Sequence, residues 1–256
     1  MVNIFLSGCC GRMGNVISQV VSAREDCQIV GGFDQVGKTN MSYPVFTSTD
    51  EVDVDYDVVI DFSNSKNLPN LIALSERNAK PLVIATTGFS VAESEQIDEL
   101  SKSIPVFTSA NMSLGINILI HLAKTAARTL YPDFNIEIIE AHHNQKLDAP
   151  SGTAIMIADA IKSVLNDDVF YRYERESIRE KRKDNEIGIS AIRGGTIVGE
   201  HDVILAGGDE VIKLSHSAQS REIFARGAVS AALYLNSQKP GLYHMDDLIE
   251  SASVNK

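Results

Sequence analysis

Residues 140–154, EAHHNQKLDAPSGTA, hold the densest set of groups in the chain that could grip an anion or move a proton. His142 and His143 are adjacent, Lys146 brings a fixed positive charge and a possible proton donor, and Asp148 can orient that lysine or a histidine. Side chains alternate faces along a strand, so Glu140 and His142 would point one way and His143 the other. One imidazole is then free to meet a ligand while its neighbour serves another task; the competing expectation is a histidine pair hydrogen-bonded within a structural turn. Ser151-Gly152-Thr153 follows and begins a helix whose apolar Ile157, Ile161 and Val164 recur at helical spacing. Ser151 suits the N-cap of that helix. The backbone amides of Gly152 and Thr153 suit a carboxylate or phosphate, and both roles can hold at once. Adjacent histidines lack the helical spacing of a hydrolytic zinc site, and no G-x-S-x-G turn is present. The chemistry expected is a positively lined anion pocket without a metal.

A second cluster lies near the N-terminus. GCCGRMG, residues 8–14, follows an apolar run directly, and its glycines stand where a dinucleotide fold turns tightly into a helix. The spacing departs from G-x-G-x-x-G, because Cys10 occupies the second glycine position and Gly11 follows it. Asp34 comes twenty residues after Gly14, at the end of a second apolar run, where an acid can accept hydrogen bonds from an adenosine ribose; otherwise it is a strand-end turn residue. Arg12 could lie along cofactor phosphates or cover the sheet edge. ATTG at 85–88 and SANMS at 109–113 would add two more polar turns at the carboxyl edge.

These groups need a scaffold, and its outline is legible. VNIFLS, CQIVGGF, DVVIDFS, PLVIATT and PVFTSA read as strands, separated by the helical patterns GNVISQVVSA, NLPNLIALSER and AESEQIDELSK. Strands alternating with helices predict an α/β fold with a Rossmann-type, doubly wound parallel sheet. After LGINILIHLAKTAARTL the pattern changes. NIEIIEAHH is followed by the helix TAIMIADAIKSVL, then IGISAIR, GEHDVILAG and EVIKLSHSA arrive with no long helix between them, as in a smaller α+β domain with an open mixed sheet and helices on one face. Residues 1–112, completed by 222–256, form the expected dinucleotide-binding domain, and 113–221 the substrate-binding and oligomerisation domain. The charged stretch 172–186 reads as a solvated loop or helix end.

The chain has 256 residues, 44% of them hydrophobic, enough for one large core or two ordinary ones. Twenty-three basic against 34 acidic residues, net −11, oppose broad attraction to nucleic acid or anionic membrane. Cys9, Cys10 and Cys27 are odd in number and lack ligand-pair spacing, which points away from disulfides and structural zinc and toward a reducing cytoplasm. No stretch reaches the roughly 18 apolar residues of a membrane span, and no signal-peptide core is expected.

GCCGRMG, ATTGF, SANMSLGINI, EAHHNQKLDAPSGTA and RGGTIVGEH, in this order and over almost the whole chain, closely resemble the dihydrodipicolinate reductase family of bacterial lysine and diaminopimelate synthesis. The resemblance implies reduction of 4-hydroxy-tetrahydrodipicolinate, a cyclic dicarboxylate, by NADH or NADPH, in a homotetramer whose contacts lie on the middle domain. It implies His142 and Lys146 as the catalytic pair, with His143, Gly152 and Thr153 holding substrate carboxylate. Cofactor contacts would come from Gly8, Cys9, Cys10, Gly11, Arg12, Met13, Asp34, Ala85, Thr86, Thr87, Ser109, Ala110, Asn111 and Met112. Two departures stand out: Ala85 replaces the first glycine of the family's G-T-T-G, and Met112 the phenylalanine of N-F-S. Gln35 follows Asp34 where some members carry an arginine for a 2′-phosphate, so NADH is expected to be modestly favoured. The competing expectations are a related dehydrogenase acting on another amino-acid derivative, and a nucleotide sensor without catalysis. Closure of one domain onto the other is expected to assemble the site.

Overall fold

A computed structural model of the protein describes residues 1–37, 40–165 and 168–254. The chain runs β1 (Val2–Ser7), α1 (Arg12–Ser22), β2 (Cys27–Phe33), β3 (Val45–Phe46), β4 (Val58–Asp61), α2 (Leu68–Asn78), β5 (Leu82–Ile84), α3 (Val91–Ser101) and β6 (Pro105–Thr108). It continues through α4 (Leu114–Leu130), β7 (Asn135–His142), α5 (Gly152–Lys162), β8 (Phe170–Arg172), β9 (Glu186–Arg193), β10 (Gly199–Ala206) and β11 (Val211–Ala218). α6 (Glu222–Leu235), β12 (Gly241–Tyr243) and α7 (Met245–Val254) close it. Two compact units result, Met1–Leu114 with Arg221–Lys256, and Gly115–Ser220.

The first unit is a seven-stranded sheet in the order β12-β6-β5-β4-β1-β2-β3, and every pair in it is parallel. Its central strands are continuous apolar runs because helices cover both faces: Ile4, Phe5 and Leu6 are all fully buried. Ile4 and Leu6 pack with Ile17 and Val21 of α1 and with Ala225, Ala228 and Val229 of α6, so the returning C-terminal segment completes one of the two cores. Phe5 and Val59 look the other way, into Leu71 and Leu74 of α2 and Ile97 and Leu100 of α3. The N-terminus of α3 is fixed by a capping box, Ser90 with Glu93. The N-cap of α1 is Gly11, which offers no side-chain acceptor. The strand order reverses at β1, flanked by β2 on one side and β4 on the other, and crevices at such a reversal are where open α/β sheets bind ligands.

The second unit is a five-stranded sheet, β11-β10-β7-β9-β8. β7 is parallel to β9 and antiparallel to β10, so the sheet is mixed. Alternation along β7 puts Ile136 and Ile138 into a core with Ile120 and Ala123 of α4 and Ile157 and Ile161 of α5. A one-residue slip would turn that set to solvent, which pins the register. The opposite face of the sheet carries Ile192 and Val211, both exposed. The charged stretch after β8 is a loop, as its composition suggests, but a tethered one. Arg175 lies 2.7 Å and Arg182 3.1 Å from Glu137 Oε1, and Arg175 also pairs with the buried Glu186.

Candidate active site

β7 delivers the reactive cluster. Glu140 and His142 do share a face, and Glu140 Oε2 accepts from His142 Nδ1 at 2.7 Å. Glu140 is fully buried and satisfied on all sides: Arg193 Nη1 and Nη2 donate to its two oxygens at 2.8 and 2.7 Å, and the Ser151 N–H donates at 2.9 Å. Burial pushes the Glu140 carboxyl up, but Arg193, His142 and the Ser151 amide outweigh it and hold the pKa below the ordinary value. A carboxylate on Nδ1 leaves His142 Nε2 as the nitrogen available to a ligand.

After His142 the chain leaves the sheet. Gly194 N–H closes on the His142 carbonyl at 2.9 Å and Asn144 N–H on the Gly195 carbonyl at 3.2 Å, so the RGG turn after β9 brackets the histidine pair. Lys146 Nζ lies 2.8 Å from Asp148 Oδ1. Asp148 is held below the usual carboxylate range, first by its bond to Lys146. An internal carboxylate therefore already rests on the lysine. Ser151 caps that helix, accepting from the Ala154 N–H at 3.1 Å. The capping expectation is met, the serine oxygen serving the Ala154 amide. Thr153 is half-buried in the same first turn, and His143 is half-buried just beyond the end of β7.

Three members of this cluster were not anticipated. Arg193 and His201 stand at the two ends of the RGGTIVGEH stretch that carries the family resemblance, but that stretch assigned neither a role. His201 and His216 sit on neighbouring β10 and β11, and the register that pairs His201 with Glu140 and with His216 sets them in one row across the sheet. The His201 ring meets the His142 ring edge-on at 5.3 Å, and its Nε2 lies 3.1 Å from Ser151 Oγ.

The first unit presents its own constellation at the carboxyl edge. Gly8 has φ +77°, and a Cβ there would stand 2.7 Å from the Phe62 carbonyl oxygen; at Gly14 it would stand 2.4 Å from the Cys9 oxygen. Both positions require glycine. Asp34 follows β2 directly, accepting from the Cys10 N–H at 3.0 Å and the Val36 N–H at 3.1 Å. It lines a cavity of about 280 Å³ with Gly8, Gly11, Gln35, Ser63 and Asn64. Thr86, Thr87, Ser109 and Ala110 border another of about 440 Å³ at the ends of β5 and β6.

Several expected contact residues can reach a ligand only through their backbone. Cys9 and Met112 are buried in the core, and Ala85 packs against it. Asn111 is spent on the turn itself, its side chain accepting from the Ser113 N–H at 2.9 Å. Arg12 is exposed at the start of α1. The Cys9 and Cys10 sulfurs and an Asp34 oxygen lie within 4.8 Å of one another, a grouping that sequence spacing does not suggest. Burial, reinforced by Cys10, pushes the Cys9 thiol up to about 12, which favours a neutral thiol over a thiolate ligand. Lys38, four residues after Asp34 and able to offset its repulsion of a 2′-phosphate, lies outside the described residues.

A doubly wound unit with this turn and acid, and a mixed-sheet unit carrying a histidine, lysine and carboxylate cluster, define a two-unit NAD(P)H-dependent oxidoreductase. The sequence profile of the dihydrodipicolinate reductase N-terminus matches residues 2–112 and that of its C-terminus residues 115–249. The chain belongs to the dihydrodipicolinate reductase family. It is 52% identical over 250 residues to a 4-hydroxy-tetrahydrodipicolinate reductase of Caldanaerobacter subterraneus, covering 98% of this chain and 99% of that one. It is likewise 52% identical over 250 residues to a 4-hydroxy-tetrahydrodipicolinate reductase of Clostridium botulinum, covering 97% and 98%. A dipicolinate-bound dihydrodipicolinate reductase from Paenisporosarcina sp. TG-14 shares the fold, with TM-score 0.81 and 24% identity over 95% of this chain and 97% of that one.

Proposed function

We infer that the protein reduces (2S,4S)-4-hydroxy-2,3,4,5-tetrahydrodipicolinate to tetrahydrodipicolinate with NAD(P)H and loss of water, in lysine and diaminopimelate biosynthesis. The observation that carries the reading is the Lys146–Asp148 pair, just before the turn into α5: an ammonium already holds one carboxylate. A dicarboxylate substrate exchanges for Asp148 on that donor, with His143 and Thr153 completing the grip. The crevice beside Gly8 and Asp34 fits a dinucleotide, since it combines a backbone that approaches closely, an uncapped helix start and an acid for ribose hydroxyls.

The nicotinamide, when bound, supplies the hydride for C4 of the substrate. Loss of water from C4 leaves that carbon conjugated to the ring imine; hydride addition there would move electron density toward the ring nitrogen, which a nearby cation must stabilise or protonate. Lys146 is our first choice for that acid, because an ammonium can pair with a carboxylate and also donate; His142 is second. General acid catalysis of this kind is worth roughly 10² to 10⁴ in rate. Asp34 and Gln35 favour a free ribose hydroxyl over a 2′-phosphate, which supports a modest preference for NADH. The exposed Ile192 and Val211 on the uncovered face of the mixed sheet support subunit contacts there, in a homotetramer. Three free cysteines suit a cytoplasmic enzyme, and among the described residues no helix is long and apolar enough to cross a membrane. Nucleic acid and membrane partners do not fit a net charge of −11.

The test is an absorbance assay of NADH and NADPH loss with freshly generated aldolase product. Oxidation of both cofactors, faster with NADH, is expected. Absence of turnover with either would defeat the assignment.

A further inference from the structure

Asp61, the last residue of β4, is fully buried at the carboxyl edge of the parallel sheet. A carboxylate in that position is costly unless hydrogen bonds compensate it, and here they all arrive from donors. Ser63 Oγ donates to Oδ1 at 2.5 Å and Thr86 Oγ1 to Oδ2 at 2.6 Å. The Ser63 N–H reaches Oδ1 at 3.3 Å. The direction of these bonds is set from behind. Asn67 Nδ2 donates to both Ser7 Oγ and Ser63 Oγ at 3.1 Å, so the Ser63 hydroxyl has a lone pair engaged and its proton turned to Asp61. Asn67 is itself oriented by Asn70, whose Nδ2 donates to its Oδ1 at 3.0 Å. Burial pushes the Asp61 carboxyl up, and the Ser63 and Thr86 hydroxyls and the Ser63 amide pull against that shift; in its carboxylate form Asp61 only accepts, and the chain of donors then runs one way.

Thr86 is the member of this network that borders the cavity at the ends of β5 and β6. Its single hydroxyl proton is committed to Asp61, so toward the cavity its oxygen can only accept. A nicotinamide ring differs from its ring-substituted analogues in carrying a primary carboxamide with two N–H donors. We infer that Thr86 recognises this carboxamide as a pure acceptor and that Asp61 is the positioning residue that makes it one. The inference rests on the NAD(P)H reading above. It extends that reading to a buried residue, supported by Ser63 and Asn67, that would set cofactor discrimination without touching the cofactor. With asparagine at position 61, the carbonyl would take the Ser63 protons and the amide would face Thr86, turning the threonine proton outward against the carboxamide.

The test compares dissociation constants of NADH and reduced 3-acetylpyridine adenine dinucleotide, whose acetyl group lacks the N–H donors. Both are measured by calorimetry with saturating pyridine-2,6-dicarboxylate. The parent should prefer NADH by about threefold to tenfold, the worth of one neutral hydrogen bond. Asp61→Asn and Thr86→Val should bring the ratio close to one, and Thr86→Ser should retain it. A purely structural role would weaken both ligands alike. An unchanged ratio in Asp61→Asn overturns the inference; if that variant does not fold, an unchanged ratio in Thr86→Val overturns it equally. Failure of the parent to bind NADH or NADPH at all would instead remove the cofactor reading on which it stands.

Discussion

Glu140 Oε2 lies 2.7 Å from His142 Nδ1, and the same carboxylate is gripped from behind by both terminal nitrogens of Arg193. The bidentate arginine fixes the carboxylate plane, and the carboxylate fixes the imidazole. Glu140→Gln keeps the shape but removes the charge and one acceptor. The Arg193 guanidinium then loses its counter-ion, and His142 loses the partner that selects its tautomer. Charge-assisted bonds of this kind are worth roughly 1.5 to 3 kcal/mol, so turnover should fall about tenfold to a hundredfold and stability should drop. NADH affinity should stay near the parent value; a matching loss of NADH affinity would show that the residue supports the fold generally and not His142.

The Glu140–His142 face could be read in advance because strand alternation is a rule about neighbours in sequence. What could not be read is what lies across the sheet. Arg193, His201 and His216 join the site through the pairings β7–β9, β7–β10 and β10–β11, and register between strands is a tertiary property. The same division explains the elements. Apolar runs and helical periods mark every long strand and most helices, whereas β3, β8 and β12 are two or three residues long and too short to show alternation. Asp61 also escaped notice, because an acid closing an apolar run reads as a turn residue until burial and its donors are seen.

Lys146 and Thr153 are expected to differ in weight as carboxylate anchors. Lys146→Ala removes a full charge and the proposed acid, so turnover should fall by about 10² or more with NADH binding nearly unchanged. Thr153→Val keeps the backbone amide and removes only a hydroxyl. Calorimetry with pyridine-2,6-dicarboxylate, which has the substrate's planar ring and paired carboxylates, should show the larger affinity loss for Lys146→Ala. Equal affinity in both variants and the parent would place the dicarboxylate elsewhere.

Asp148 competes for the donor that a substrate carboxylate needs. Its bond to Lys146 must open before a ligand enters. Asp148 is exposed, and a solvent-screened pair is worth only about 0.2 to 1 kcal/mol. Asp148→Asn should therefore tighten pyridine-2,6-dicarboxylate binding by no more than about fivefold. Weaker binding would mean that Asp148 chiefly holds Lys146 in its working position.

Asp34 is placed to decide between the two cofactors. Its carboxylate is oriented by the Cys10 and Val36 amides and faces the cavity that contains Gly8 and Gly11. A 2′-phosphate beside that negative charge is repelled, whereas a ribose hydroxyl can donate to it. Asp34→Ala should move the ratio of kcat/KM values toward NADPH, chiefly through a higher KM for NADH. Strong NADPH preference in the unaltered protein would contradict this role.

His201 should make the protein sensitive to acid. It is buried, its Nε2 bonds to Ser151 Oγ, and its pKa is lowered to about 4 by burial first and then by neighbouring His142. Glu140 opposes that shift, while His216 and Lys146 add to it. In the unfolded chain the same imidazole titrates near 6.5, so between about pH 6.5 and 4 the unfolded state binds the extra proton. Stability therefore rises with pH across that window: it is fully present above about 6.5 and is lost progressively as the pH falls to about 4, by roughly 3 kcal/mol for this one group. His201→Gln removes the titration and leaves a polar group to meet Ser151. The variant is expected to be less stable than the parent at pH 7, but to lose less stability between pH 7 and pH 4.5 in urea unfolding. Parallel stability curves for the two proteins over that range would mean that His201 is not the buried neutral imidazole its surroundings require.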